Sequence, residues 1–209
     1  MRILDFPQGS EEWKTARAGK VTASRIEAVI AKIKTGEAAA RRDYRAQLVA
    51  EILTGKPQES GYVNAEMQWG IDQEPLARAA YEMAADCLVD TVGLVLHPTI
   101  DRAAASPDGL VNSDGILEVK CPKTATHLQY LLDGGAPKEY QPQMLWQMAC
   151  TERAWCDFVS YDPRLPENMR LFVKRLLRDD SRIKDLEREV LAFLADVDKM
   201  IETVRRFAA

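Results

Sequence analysis

The sequence predicts an α/β fold: one domain over residues 1–209, with a central mixed β-sheet flanked by helices. The order of elements alone leaves α+β equally open. Three observations carry this. The chain has 209 residues, and at roughly 100–200 residues per domain one domain is the default. Its apolar spacing is helical up to about residue 86, then strand-like, then alternates between the two. No repeat, low-complexity run or Pro/Ser-rich linker marks a boundary.

The elements follow in order. Residues 10–18 read as a helix, with Ser10 as N-cap, Glu11 and Glu12 at its positive end and Gly19 as its stop. Thr22 or Ser24 caps a second helix over 24–33, and residues 33–43 read as a loop. A third helix spans 43–55, closed by Gly55. After a polar loop comes a longer helix, about 65–86, in which Pro75 predicts a kink or break near Asp72–Glu74. Segments 88–98, 105–112 and 115–121 read as strands, with NSDG (112–115) as a hairpin turn. Helices follow over 123–135, stopped by Gly134–Gly135, and over 139–151, with Pro142 tolerated in the first turn. Strands over 154–162 and 169–177 lead to a last helix, 181–207. There Ile183, Leu186, Val190, Leu194, Val197, Ile201 and Val204 share one stripe.

Composition bounds the chemistry. With 46% apolar and 29% charged residues and a mean hydropathy of −0.28, the chain is an ordinary globular sequence. It can bury roughly 70% of its unfolded surface without disulfide or structural metal. No apolar run approaches the roughly 18 residues of a membrane span, and residues 1–13 have no secretory h-region. The expectation is a reducing cytosol with the four cysteines free; their spacing lacks C-x-x-C, against a zinc ribbon or a clustered Fe–S site. Two histidines leave little material for a Ser-His-Asp or multi-histidine site. The net charge of −4 argues against binding nucleic acid over the whole surface.

The segment SPDGLVNSDGILEVKC (106–121) carries the chemistry. Glu118 and Lys120, two apart on a strand, share a face. A turn at Ser113–Asp114 would pair residue 109 with 118, and one at Asp114–Gly115 would pair 108 with 121. Either brings Asp108 within one to three positions of Glu118 across the hairpin. Two carboxylates plus a main-chain carbonyl, that of Val119, suit a hard cation such as Mg²⁺. A neighbouring lysine can hold the water that such an ion activates. Metal-assisted phosphodiester hydrolysis follows, although this spacing alone is common on exposed strands.

The surrounding motifs narrow the choice. QGSEEWKTARAGKVTAS (8–24), VIAK (29–32), WGIDQE (69–74), SPDGL (106–110), LEVKCP (117–122), YQPQ (140–143) and YDPR (161–164) occur in order. Together they resemble the phage lambda exonuclease family of viral recombination nucleases, within the PD-(D/E)XK superfamily. The resemblance implies a restriction-endonuclease-like core and a Mg²⁺-dependent 5′→3′ exonuclease on double-stranded DNA. Two ions per active site are implied, with Mn²⁺ as an alternative. It further implies processive degradation of one strand from 5′-phosphorylated ends, leaving 3′ overhangs for single-strand annealing. A ring-shaped homotrimer, a single-strand annealing protein as partner and a phage or prophage origin in the bacterial cytoplasm are expected with it.

The resemblance also implies roles. Asp108 and Glu118, with the Val119 carbonyl, match the metal ligands; Lys120 matches the catalytic lysine. Glu74 matches a helix glutamate that points into the same site. Arg17, Ser24 and Ser106 match the 5′-phosphate pocket, Gln143 the glutamine on the following helix, and Met67 an apolar wedge that separates the terminal base pair. The chain departs from the pattern at three positions. Lys34 stands where an arginine contacts DNA and cannot make a bidentate fork. Leu145 replaces a glutamine, and Met67 replaces a leucine. Between residues 17 and 45, eight basic side chains face three acidic ones, a local charge of +5 that reads as a DNA path. The acidic last helix is expected to lie away from it. The four tryptophans read mainly as core. An endonuclease or single-strand nuclease on the same core, and a non-catalytic DNA-binding protein, are the competing readings.

Overall fold

The computed structural model describes residues 1–58 and 63–207. Its elements are β1 (Arg2–Leu4), α1 (Glu11–Arg17), β2 (Val21–Thr22), a 3₁₀ turn (Ala23–Arg25), α2 (Ile26–Ile30), α3 (Ala39–Thr54) and α4 (Ala65–Ala85). Then come β3 (Val89–Asp90), β4 (Leu94–Leu96), β5 (Ala103–Ala105), β6 (Gly109–Val111), β7 (Gly115–Lys120), α5 (Thr124–Asp133) and α6 (Gln141–Thr151). The chain ends with β8 (Trp155–Tyr161), a 3₁₀ turn (Glu167–Met169), β9 (Leu171–Leu177) and α7 (Asp180–Arg206). The polar loop expected before α4 lies partly outside the described residues.

The α/β class is as predicted, but the strands divide into two mixed sheets rather than one. Five strands run in the order β3-β6-β7-β8-β9, and four in the order β1-β4-β5-β2. In the larger sheet β7 and β8 are parallel and the other pairs antiparallel. A parallel pair needs a long crossover, and α5 with α6 supplies it. Strand β7 is buried on both sides. Ile116 joins the main core beside Phe158, Trp146 and Phe193, whereas Leu117 and Val119 join a second cluster with Ala77 and Tyr81 of α4. Helix α7 closes the main core with the predicted stripe from Ile183 to Ile201, and Phe193 adds to it. Val204 stays exposed.

Several local expectations change. The hairpin loop has three residues, Asn112 to Asp114, because β6 and β7 pair as Val111↔Gly115 and Gly109↔Leu117. Neither two-residue turn forms. Asn112 takes the left-handed conformation, φ 48°, which asparagine tolerates. Arg153 satisfies the loop's carbonyls, donating to those of Val111, Asn112 and Gly115 at 2.6–3.1 Å. Gly115 is required because the Trp155 ring lies where a Cβ would project.

The second helix is short, ending at Ile30, and neither Thr22 nor Arg25 makes a side-chain cap. Helix α3 starts at Ala39, inside the expected loop, where Glu37 before its first turn pairs with Arg41 and Arg45. Helix α4 runs unbroken through Pro75; burial of Ala77 and Tyr81 against the sheet outweighs the lost hydrogen bond. All four cysteines are free thiols.

Part of the basic run is paired with acidic side chains. Lys32 pairs with Glu189, Arg41 with Asp196, Arg42 with Asp43 and Arg45 with Glu37. The acidic helix α7 packs against α2 and α3, so its carboxylates neutralise part of the stretch that read as a DNA path. A linear charge count cannot anticipate this, since the partners lie some 150 residues away.

At the end of β8, Asp162 is fully buried. Its carboxylate accepts from Arg164 Nε (2.7 Å) and Nη2 (3.0 Å), the Arg164 N–H (3.0 Å) and the Thr124 hydroxyl (2.6 Å). Burial works against its charge, but these donors outweigh it and bring its pKa down to about 2. A depressed carboxylate stabilises the fold fully above its unfolded pKa, about 4, and that contribution is lost as pH falls toward 2. Asp162→Asn should therefore destabilise the protein by about 3 kcal/mol near neutrality. Urea unfolding from pH 7 to 2 should show the wild type and variant converging at the acid end.

Candidate active site

The β6–β7 hairpin brings the two predicted carboxylates together. The three-residue loop places Asp108, just before β6, directly across from Glu118, closer than either turn expected from the sequence. The Asp108 N–H donates to the Leu117 carbonyl at 3.1 Å, and Asp108 Oδ2 accepts the Val119 N–H at 2.6 Å. Asp108 is thus tied at main chain and side chain to the strand that carries Glu118.

Glu118 is only 1% exposed, and a buried carboxylate must be surrounded by donors. Lys120 Nζ and Gln143 Nε2 (2.7 Å) donate to its Oε1. Gln147 Nε2 donates to its Oε2 at 2.5 Å. Gln143 and Gln147 are one helical turn apart on α6, so their amides reach the strand from the same face. Gln147 has no solvent exposure. Sequence reading missed it, although the Q-x-x-x-Q spacing beside the predicted Gln143 was the available signal.

The electrostatics are those of crowded acids. Burial pushes the Asp108 carboxyl well above its ordinary value; Glu118 and Glu74 add to the rise and Lys120 opposes it. Burial also raises Glu74, which Arg78 opposes through a 2.6 Å ion pair and Glu118 reinforces. For the Lys120 ammonium, burial favours loss of the proton, but Glu118 and Asp108 outweigh it and hold its pKa above the usual lysine value. The ammonium also lies 5.0 Å from the Tyr140 ring centroid.

A second wall is built from the first 24 residues and Ser106. Arg17, at the end of α1, stacks its guanidinium 4.0 Å from the Trp13 ring centroid. Its Nη2 reaches the Thr22 and Ser24 hydroxyls, both at 3.4 Å. Trp13 Nε1 donates to the Ser106 hydroxyl at 3.0 Å, linking this wall to the approach to Asp108. Below it, buried Glu51 accepts the Gly19 N–H at 2.7 Å, where Gly19 takes a positive φ of 72°. The Tyr44 hydroxyl accepts the Thr22 N–H and donates to the Lys20 carbonyl, both at 3.2 Å.

The two walls face one open cavity of about 550 Å³. Asp108, Glu118, Val119 and Lys120 line it with Glu74, Gln143, Arg17, Ser24, Ser106 and Met67. Lys34 is absent from its lining and sits exposed in the loop after α2. Trp146 and Trp155 are buried as expected, whereas Trp13 and Trp69 are only half-buried, Trp13 within the cavity wall. Met67 is 51% exposed, which removes it from the core. Neither histidine lines the cavity. His127 bridges the Ser160 hydroxyl and the Met169 carbonyl, and His97 stacks on Trp146.

Gln147→Leu should leave Glu118 Oε2 buried without its donor. A lost hydrogen bond to a charged group costs about 1.5–3 kcal/mol, and equilibrium unfolding should read a loss of that size. A loss near zero would mean that Glu118 finds solvent in the variant.

Residues 12–154 match the model of the YqaJ-like viral recombinase domain. Among solved structures, the alkaline exonuclease LHK-Exo from Laribacter hongkongensis is 49% identical, with a TM-score of 0.88 over 95% of this chain and 98% of that one. The structure of LHK-Exo in complex with dAMP matches equally. A phage-related exonuclease from Haemophilus somnus 129PT shares the fold at 17% identity, with a TM-score of 0.70 over 88% of this chain and 96% of that one. No curated protein matches the chain. The fold is thus the restriction-endonuclease-like α/β fold of these exonucleases, and the chain belongs to the YqaJ-like viral recombinase family.

Proposed function

We propose that this protein is a Mg²⁺-dependent 5′→3′ exonuclease acting on 5′-phosphorylated ends of double-stranded DNA. One observation carries the reading. A carboxylate–lysine cluster (Asp108, Glu118, Lys120) and a cationic, hydroxyl-lined wall (Arg17, Ser24, Ser106) face the same cavity. The first suits hydrolysis of a phosphodiester, and the second suits capture of a phosphate. The 49% identity to an alkaline exonuclease supports the same activity class, and that relative's complex with dAMP supports binding of a nucleotide.

The donor set fits a hard cation. Asp108 and Glu118 offer oxygen ligands; burial raises the Asp108 and Glu74 carboxyls, neighbouring carboxylates add to the rise, and a cation beside them would offset both. Among the described residues, no three His, Cys, Asp or Glu side chains could hold a metal by themselves. The remaining ligands would then be oxygens of Val119, water or substrate, as Mg²⁺ prefers; two ions, or Mn²⁺ instead, fit the same chemistry. When bound, the ion supplies charge neutralisation at the phosphoryl oxygens and a more acidic water.

The chain's own residues do the rest. Gln143 and Gln147 fix the Glu118 carboxylate, and Lys120 orients the attacking water with its ammonium. Glu74 extends the acidic wall. Arg17 holds the 5′ phosphate with its planar fork, assisted by the Ser24 and Ser106 hydroxyls. Met67 stands exposed at the rim, where it would stack on the terminal base pair. Hydrolysis forms a P–O bond from water and breaks the P–O3′ bond. The released mononucleotide keeps its 5′ phosphate, and the shortened strand presents a new one, so Arg17 can re-engage after each cut. Under this reading the protein acts processively in the bacterial cytoplasm as a ring homotrimer, with a single-strand annealing protein receiving the 3′ overhang. Among the described residues, no helix is long and apolar enough to cross a membrane.

Two substitutions test the assignment. Asp108→Ala should abolish cleavage in Mg²⁺ while gel-shift affinity for duplex DNA is retained, because binding rests on phosphate contacts. Appreciable cleavage by that variant would contradict the role of Asp108. Arg17→Ala should slow digestion of 5′-phosphorylated duplex roughly 10- to 150-fold, the loss of one charge-assisted contact, and leave 5′-hydroxyl duplex unchanged. Equal slowing of both ends would favour an endonuclease.

A further inference from the structure

Helix α4 is anchored unevenly. Its buried residues, Ala77 and Tyr81, both lie in the second half and pack on the larger sheet. The first turns carry Met67, Ile71 and Glu74 to the cavity, yet Met67 and Ile71 are 51% and 56% exposed. Burial of Met67 and Ile71 does not fix these turns. Lys123 pairs with Glu66 at 2.6 Å, but both side chains are 69% exposed, and such surface pairs hold little.

Among the described residues, a further attachment is Trp69. The Arg164 guanidinium lies 4.6 Å from its ring centroid, within the range of a cation–π contact. Arg164 is itself held on several sides. Beyond its bonds to buried Asp162, its Nη2 donates to the Pro122 carbonyl at 3.0 Å, two residues past Lys120. Asp162 in turn accepts from Thr124 at the start of α5. The indole Nε1 of Trp69 is enclosed without a hydrogen-bond partner, so the ring is seated through its face and not its polar edge. One guanidinium therefore joins the end of β8, the exit of the active-site strand and α4.

We infer that Arg164 and Trp69 form a clamp that positions the first half of α4, and with it Met67 and Glu74, over the Asp108–Glu118 carboxylates. Neither residue lines the cavity, so both are positioning residues. The consequence for strand separation rests on the exonuclease reading; the clamp itself does not. Together they give the YDPR motif a role, with Arg164 acting through Trp69.

Amide hydrogen exchange on the full-length protein tests the clamp without any DNA. In Arg164→Ala, and separately in Trp69→Leu, exchange over residues 66–74 should rise roughly 5- to 30-fold, the range of a cation–π contact. In Trp69→Leu, residues 77–85 and 115–120 should be unchanged; in Arg164→Ala, which also strips buried Asp162 of its partner, they should rise less than 66–74. Leucine keeps apolar bulk but no π face, whereas Trp69→Phe keeps the face and should exchange like the wild type. Unchanged exchange over 66–74 in both variants, or an equal rise through 77–85, overturns the clamp. On DNA, Arg164→Ala should slow digestion of fully paired ends more than of ends with mismatched terminal pairs, which need no wedge. An equal loss on both overturns the link to Met67. A wild type that digests neither duplex overturns the exonuclease reading, and the exchange result still decides the clamp.

Discussion

Glu118 carries a carboxylate into a place almost without water, and that burial dictates much of what surrounds it. Leaving such a charge unpaired would cost several kcal/mol. Three donors prevent this: Lys120 from the same strand, and Gln143 and Gln147 from α6. Meeting them requires α6 to cross the β7 face with its amides inward, which in turn requires the α5–α6 crossover between parallel β7 and β8. The same strand holds Asp108 through two hydrogen bonds. The cluster is therefore a property of the sheet and its crossover, and not of a loop that could drift.

The opposite wall is fixed by different means. Arg17, Thr22 and Ser24 sit on a short helix and a tight connection that could not hold a geometry alone. Glu51 and Tyr44, both on α3, reach under this segment and bind its main chain. Helix α3 is held by α7 through the Tyr44–Phe193 stack and the Arg41–Asp196 pair. The long C-terminal helix thus supports the Arg17–Ser24 wall through α3, while its acids offset part of the basic run.

Much of this was legible in the sequence because it is local. The Glu118–Lys120 alternation, the 112–115 turn region, the Gly134 stop and the α7 stripe follow from spacing and turn chemistry. The motifs in order, through the family resemblance, point to one site for Arg17, Ser24, Ser106 and Glu74, and all four line the cavity. What stayed hidden depends on partners distant along the chain. The hairpin register hinged on Asn112 adopting a left-handed conformation supported by Arg153. The neutralised basic run needed α7, and the role of Gln147 needed the meeting of α6 with β7. Pro75 misled because tertiary burial of Ala77 and Tyr81 overrode a local helix-breaking rule. Lys34, matched by position in a motif, lies outside the cavity lining, in the exposed loop after α2 ends at Ile30.

In the proposed function the two walls work together, one hydrolysing and one reading a strand end. It is tested most directly by incubating the wild-type protein with 5′-phosphorylated linear duplex and with covalently closed circular duplex, each with Mg²⁺ and with EDTA. Mononucleotides should be released from the linear DNA in Mg²⁺ and not in EDTA, and the circles should stay intact throughout. Digestion in EDTA would contradict the metal-dependent site, and digestion of circles at the linear rate would contradict end recognition.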